Sequence, residues 1–242
     1  MIVDFRLFLV ITGSFVLICT GCAPPIQTIE IYSNGQPKFA REYKVITNGL
    51  VKDSITVKLI KYYRNGIRQY HQEIINNQAN GQYFSWHSTG VKSAEGRYLN
   101  GELSDKWIWW GKNGLPDSMR TFRNEMLHGE YIDYFGNGKP HKLMDYVENK
   151  KYGYYKEFDE KGKKVSVGEY RNDIPHGNWV WWQNKIKTRE LTYDNGLKNG
   201  PFIIYNKLGK KKIIGQYKNN KKDGKWNWFS DQKGLDSLIV YN

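Results

Sequence analysis

The chain has 242 residues, of which 39% are hydrophobic and 15% aromatic, with a mean hydropathy of -0.71. The apolar share is low for a compact two-layer domain and the aromatic share too high for a disordered chain, so the sequence predicts a thin fold that buries aromatics in place of aliphatics. Thirty-seven Lys and Arg against 24 Asp and Glu leave a charge of +13, which favours anionic partners, and two cysteines are too few for a zinc ribbon or finger.

Residues 7–18, LFLVITGSFVLI, form an apolar stretch of 12 residues preceded by Arg6. A bilayer span takes about 20 residues, so this length suits the core of a signal peptide. Cys19-Thr20-Gly21-Cys22 follows, and Ala23-Pro24-Pro25 reads as a stiff spacer. The segment resembles the lipobox of bacterial lipoproteins. The resemblance implies cleavage after Gly21 and acylation of Cys22, which places the chain outside the cytoplasm, anchored to the envelope and more readily at the outer membrane than the inner. Domain boundaries follow: 1–21 signal peptide, 22–26 lipidated Cys and spacer, 27–56 a degenerate first repeat with an insertion near residues 45–54, and 57–242 a repeat array.

The array is read by self-comparison. Anchors recur at Gly81, Asp105, Gly129, Gly153, Gly177, Gly200 and Gly224, spaced by 24, 24, 24, 24, 23 and 24 residues. Two residues after each anchor stands an aromatic: Tyr83, Trp107, Tyr131, Tyr155, Trp179, Phe202 and Trp226. Five after it stands another: Trp86, Trp110, Tyr134, Phe158, Trp182, Tyr205 and Phe229. A third closes each unit: Tyr98, Phe122, Tyr146, Tyr170, Tyr193, Tyr217 and Tyr241. The 23-residue unit has lost the Gly that most units carry nine residues after the anchor. Turn pairs such as Asn65-Gly66 and Asn137-Gly138 mark hairpins, and no apolar helix period occurs. Gly96, Gly168 and Gly215 share one column, where a bare backbone lets an aromatic lie across it. With two weaker units near Gln27 and Val57, the expectation is an all-β, elongated ribbon of about nine stacked antiparallel hairpins of 23–24 residues.

The pattern G-x-aromatic-x-x-aromatic, then Gly, then Tyr and Asn or Gly, as in residues 129–149, resembles the MORN-repeat variant family over residues 27–242. The resemblance implies a non-enzymatic interaction or membrane-associated scaffold. Some bacterial relatives carry the label of putative antitoxin, which implies a rival reading as an antitoxin or immunity-type protein that neutralises a toxin by binding it.

Strand alternation puts the second and fourth columns on one face, and the third and fifth on the other. The third column is apolar (Phe84, Ile108, Ile132, Val180, Ile203), so that face is the expected structural ladder. The first face varies and carries paired indoles: Trp107 with Trp109, Trp179 with Trp181, and Trp226 with Trp228. These six are candidate contacts for a protein partner. They equally suit cross-strand packing. Lys210, Lys211, Lys212, Lys221 and Lys222 crowd the last two units as candidate contacts for anionic lipid or glycan. Solvation and protection of sheet edges explain them as well. Export argues against nucleic acid. His128 and His176 lie two units apart, four strands or roughly 19 Å, too far to share a zinc ion. Motifs for P-loops, nucleophile elbows and zinc proteases are absent, so neither catalytic residue nor metal nor cofactor is expected.

Overall fold

The computed structural model describes residues 10, 11, 14, 15, 24–48, 51–230 and 234–241. Cys19, Cys22 and most of the apolar leader lie outside the described residues. Every described element is a strand, and the fold is all-β, built of repeated antiparallel hairpins. Two two-residue strands, β1 (Val10–Ile11) and β2 (Ser14–Phe15), pair with each other. The remainder comprises β3 (Ile26–Ile31), β4 (Pro37–Asn48), β5 (Val51–Tyr62), β6 (Arg68–Ile75), β7 (Gln78–Trp86), β8 (Lys92–Leu99), β9 (Glu102–Trp110), β10 (Pro116–Arg123), β11 (Met126–Tyr134), β12 (Pro140–Val147), β13 (Lys150–Phe158), β14 (Lys164–Arg171), β15 (Ile174–Gln183), β16 (Ile186–Asp194), β17 (Leu197–Tyr205), β18 (Lys211–Lys218), β19 (Lys221–Ser230) and β20 (Gly234–Tyr241).

The chain divides into two compact units, Met1–Ser104 with Lys112–Gly114, and Asp105–Gly111 with Leu115–Asn242. Strands β3 to β8 pair in chain order in the first unit, and β9 to β20 in the second. Neither meander closes into a barrel.

Two kinds of turn alternate. At one edge sit the expected Asn-Gly loops. In the loop at Asn65, the Gly66 amide donates to Tyr63 O at 2.9 Å and the Ile67 amide to Asn65 Oδ1 at 3.2 Å. Asn65 Nδ2 then donates to Ser88 O of the next loop at 2.9 Å, and Asn137 Nδ2 to Glu160 O at 2.9 Å. At the other edge sit two-residue turns with both residues left-handed, such as Glu148-Asn149 (φ 49° and 66°) and Asn219-Asn220 (φ 48° and 67°). Asn and Asp tolerate that region because their short polar side chains bond locally. These turns are stitched too: Leu127 N donates to Asn149 Oδ1 at 2.8 Å, and Asn149 N returns a bond to Leu127 O at 2.9 Å. These turns thus bond the neighbouring hairpin, which helps to lock the period.

The anchor column has a backbone cause. Gly153 has φ +92° where the pairing of β12 and β13 shifts between Met144 and Tyr146, so the anchor occupies a bulge. Asp105 holds the same column at φ 60°.

Two hairpins depart from the period. The insertion near residues 45–54 is not a loop: β4 and β5 run to 12 residues each and stay paired from Val45↔Ser54 to Asn48↔Val51. In the 23-residue unit, Trp182 pairs with Lys187 and Gln183 with Ile186, leaving only Asn184-Lys185 as the turn. Losing one residue thus converts a five-residue loop into a two-residue one.

Burial corrects the expected ladder in the second unit. Trp107, Trp179 and Trp226 are 3%, 6% and 2% exposed, so the face with the second column is the main core there. The third-column residues Ile108, Ile132, Val180 and Ile203 are only partly buried. The reason is room. A Cβ on Gly168 would stand 2.1 Å from Trp179 Cδ2, and one on Gly215 2.3 Å from Trp226 Cδ2. Each indole therefore lies flat on bare backbone and donates Nε1–H to the next carbonyl, Trp179 to Glu169 O at 3.2 Å and Trp226 to Gln216 O at 3.1 Å. The closing tyrosines meet these rings edge-on, as Tyr170 meets Trp179 at 5.1 Å and Tyr217 meets Trp226 at 5.2 Å. In the first unit the third-column face buries Ile60 and its cross-strand partner Ala40, at 0% and 1% exposed, while Phe84 stays partly buried.

Candidate binding surface

The aromatic face of the second unit carries an in-register row, one residue per strand. It runs Trp109, Ser118, Asp133, Lys142, Glu157, Ser166, Trp181, Arg189, Ile204, Ile213, Trp228 and Ser237, each the cross-strand partner of the next. Strand spacing near 4.8 Å makes the row roughly 53 Å along the sheet before twist. Residues paired directly across antiparallel strands share a face, so these side chains lie on one side of the sheet.

The six predicted indoles split into two sets. Trp107, Trp179 and Trp226 are buried in the core. Trp109, Trp181 and Trp228 are partly exposed, each packed on its buried partner with ring centroids at 5.7, 5.7 and 6.0 Å. A cation lies over each outer ring: Arg120 over Trp109 at 5.2 Å, Arg189 over Trp181 at 3.7 Å, and Lys222 over Trp228 at 5.5 Å. Lys151, Lys198 and Lys222 hold one repeat position and sit over Tyr170, Tyr217 and Tyr241 at 5.1, 5.2 and 4.9 Å. Among the described residues, none of Arg120, Lys151, Arg189, Lys198 and Lys222 has a carboxylate within ion-pair distance. The Nε atoms of Arg120 and Arg189 are buried without a hydrogen-bond partner. A guanidinium held over an indole is pre-organised to take an anion at its free edge. Sequence reasoning paired the tryptophans, named Lys222 only as part of the lysine cluster, and missed Arg120, Lys151, Arg189 and Lys198. Arg120, Arg189 and the three lysines over tyrosines are 8 to 19 residues from their rings and on different strands, so strand pairing brings them together, whereas Lys222 and Trp228 share β19.

Acidic groups on this face are few and engaged. Glu157 accepts from Ser166 Oγ at 2.8 Å and lies 3.8 Å from His141 Nε2. Burial, reinforced by the nearby Glu157 charge, pushes the Tyr155 phenol far above its ordinary range, so it stays protonated at any working pH. On the opposite face Glu130 and Asp145 pair directly across strands, and burial followed by the Glu130 charge raises the Asp145 carboxyl.

The predicted lysine cluster is not one patch. Lys210 ends a loop, Lys211 and Lys212 begin β18, and Lys221 and Lys222 begin β19 after the next tight turn. Lys211 and Lys218 stand at opposite ends of β18, roughly 23 Å apart, and Lys218 pairs with Lys221. The two groups therefore occupy opposite edges. His176 Nδ1 lies 3.8 Å from Asp194 Oδ1, and among the described residues no three His, Cys, Asp or Glu side chains could hold a metal ion.

No family model matches the chain, and no curated protein matches it. Among solved structures, a chain of the GtfA/B complex bound to UDP and GlcNAc aligns at 14% identity and a TM-score of 0.21. The alignment covers 47% of this chain and 22% of that one, and a likeness this low carries no argument.

Proposed function

We propose that this chain is a non-enzymatic, lipid-anchored repeat scaffold of the bacterial envelope, a member of the MORN-repeat variant family. In this reading it binds an acidic protein through the aromatic face of its second unit. Acylation at Cys22 supplies the anchor, with membrane affinity of about 0.8 kcal/mol per buried methylene. The observation that carries the reading is the set of five cations seated on aromatic rings with no carboxylate to neutralise them. Cations so placed are desolvated on one side and charged on the other, a good start for a binding hot spot. The anionic glycan and lipid reading of Lys210, Lys211, Lys212, Lys221 and Lys222 loses ground, because those residues divide between two edges.

The test is affinity capture from the native host with the lipidated chain, against a double variant, Arg120→Ala with Arg189→Ala. Both arginines pack against rings through buried Nε atoms, so the variant serves as the control once its melting curve matches that of the wild-type chain. Specific enrichment of one acidic protein by the wild-type chain alone is expected. Equal recovery by both baits overturns the assignment of this face.

A further inference from the structure

The shortened hairpin creates a second feature, at the loop edge and away from the aromatic face. In regular hairpins, the residue after each loop glycine packs against the glycine of the next loop. Val91 Cγ1 is 3.7 Å from where a Cβ of Gly114 would stand, Leu115 Cδ2 3.3 Å from that of Gly138, and Lys139 Cδ 3.9 Å from that of Gly162. Lys163 is next in this series, but the following hairpin has the two-residue turn Asn184-Lys185 and no glycine to receive it. The asparagine ladder stops here as well. Asn137 Nδ2 reaches Glu160 O, and the next position in the ladder is Lys161, which has no amide to pass on.

The stacking gap is an open notch of about 490 Å³ lined by Lys161, Gly162, Lys163, Lys164, Trp182 and Lys185. Its size falls in the range of small-molecule sites, about 300–1,000 Å³. No acidic side chain lines it. Among the described residues none of the four lysines is in an ion pair. The nearby Asp159 is engaged by its own loop, its Oδ1 accepting from the amides of Lys161 at 3.0 Å and Lys163 at 2.8 Å. Lys164 Nζ sits 6.0 Å from the Trp182 ring centroid, at the rim of the site.

We propose that this notch binds a phosphorylated sugar. Four lysines lining one notch with no carboxylate among the lining residues suit a compact dianion. Lysine acts as a point charge toward phosphate, and the site has no arginine fork that would select a planar carboxylate. Trp182 is the one apolar wall, and an indole face complements the C–H face of a sugar ring. The phosphorylated sugar is either a free metabolite or the headgroup of a lipid, and the two share this chemistry.

The test is calorimetric titration of the full chain with glucose 6-phosphate, glucose and inorganic phosphate, and co-sedimentation with phosphatidylcholine vesicles with and without lipid A. Binding of glucose 6-phosphate more tightly than either glucose or phosphate is expected if the ligand is soluble, and retention only on lipid A vesicles if it is a headgroup. Either result supports the site provided Lys163→Gln with Lys185→Gln weakens it about tenfold. A second variant separates shape from charge: one Gly inserted between Asn184 and Lys185 restores the 24-residue unit, keeps every lysine and Trp182, and fills the notch. Loss of binding in that variant is the expected outcome. Unchanged binding in either variant, or failure of every probe to bind the wild-type chain, overturns the proposal. None of these probes touches Arg120 or Arg189, so the outcome is independent of the protein-binding reading.

Discussion

The two units are built from the same repeat, yet their most deeply buried side chains fall on opposite columns. The first unit seals Ala40 and Ile60 on the third-column face, while the second seals Trp107, Trp179 and Trp226 on the second-column face. The difference lies in which position is small. Ala40 lets Ile60 close over the sheet in the first unit, where the two are cross-strand partners. In the second, Gly168 and Gly215 open the backbone to an indole. A single-layer sheet has no second layer to bury a face against. It makes a core only where a large side chain can lie down over a small neighbour, and the position of the small residue chooses the face.

The largest expected effect is on the indole core. Trp226→Ala lowers stability by about 3–5 kcal/mol, and hydrogen exchange should show protection lost in β18 and β19 while β5 and β6 keep theirs. Ile60→Ala costs about 2–5 kcal/mol with the reverse pattern. Loss of protection in both units from either change would mean that the two cores are not separable. Gly168→Ala comes next, at about 1–3 kcal/mol for overpacking against the Trp179 ring. The same change in a Trp179→Leu background should cost much less, and the double-mutant cycle measures that coupling.

The smallest effect concerns the opposite face of the second unit. Tyr205 donates to Glu190 Oε1 at 2.6 Å, and burial followed by that bond raises its phenol to about 12. The folded chain then holds a proton that the unfolded chain releases near its ordinary pKa of about 10. Stability from this group is present below pH 10 and is lost as pH rises toward 12. The stability advantage of the wild-type chain over Tyr205→Phe should therefore shrink across that window in thermal melts. A constant difference would show that the hydroxyl does not titrate late.

Much of this fold is legible in the sequence because the repeat is a local device. A hairpin contains its own strands, its own turn glycines and its own aromatic columns, so the period, the strand content and the role of Gly168 and Gly215 follow from residues within one or two units. The Asn-Gly loops were legible for the same reason. The tight turns at the other edge were not, since Glu148-Asn149 and Asn172-Asp173 show no glycine, and their left-handed backbone depends on bonds to Leu127 and Lys151 of the preceding hairpin. The insertion near residues 45–54 read as an interruption, because pairing of Val45 with Ser54 leaves no composition signal.

The face that is buried could not be read from columns, since alternation assigns side chains to faces without saying which face closes. Side-chain volume across neighbouring strands decides that, and Arg189 over Trp181 at 3.7 Å is its clearest product. The missing residue of the 23-residue unit was visible by counting. Its consequence was not, because a notch is a relation between three successive loops: Lys163 reaching forward, a turn too short to meet it, and Trp182 left as the wall. Sequence by itself determined the repeat and its register, which are set by short-range backbone and turn chemistry. Only the tertiary structure decided the core face and the exposed surface, because both depend on side chains from different strands or hairpins that pairing makes neighbours in space.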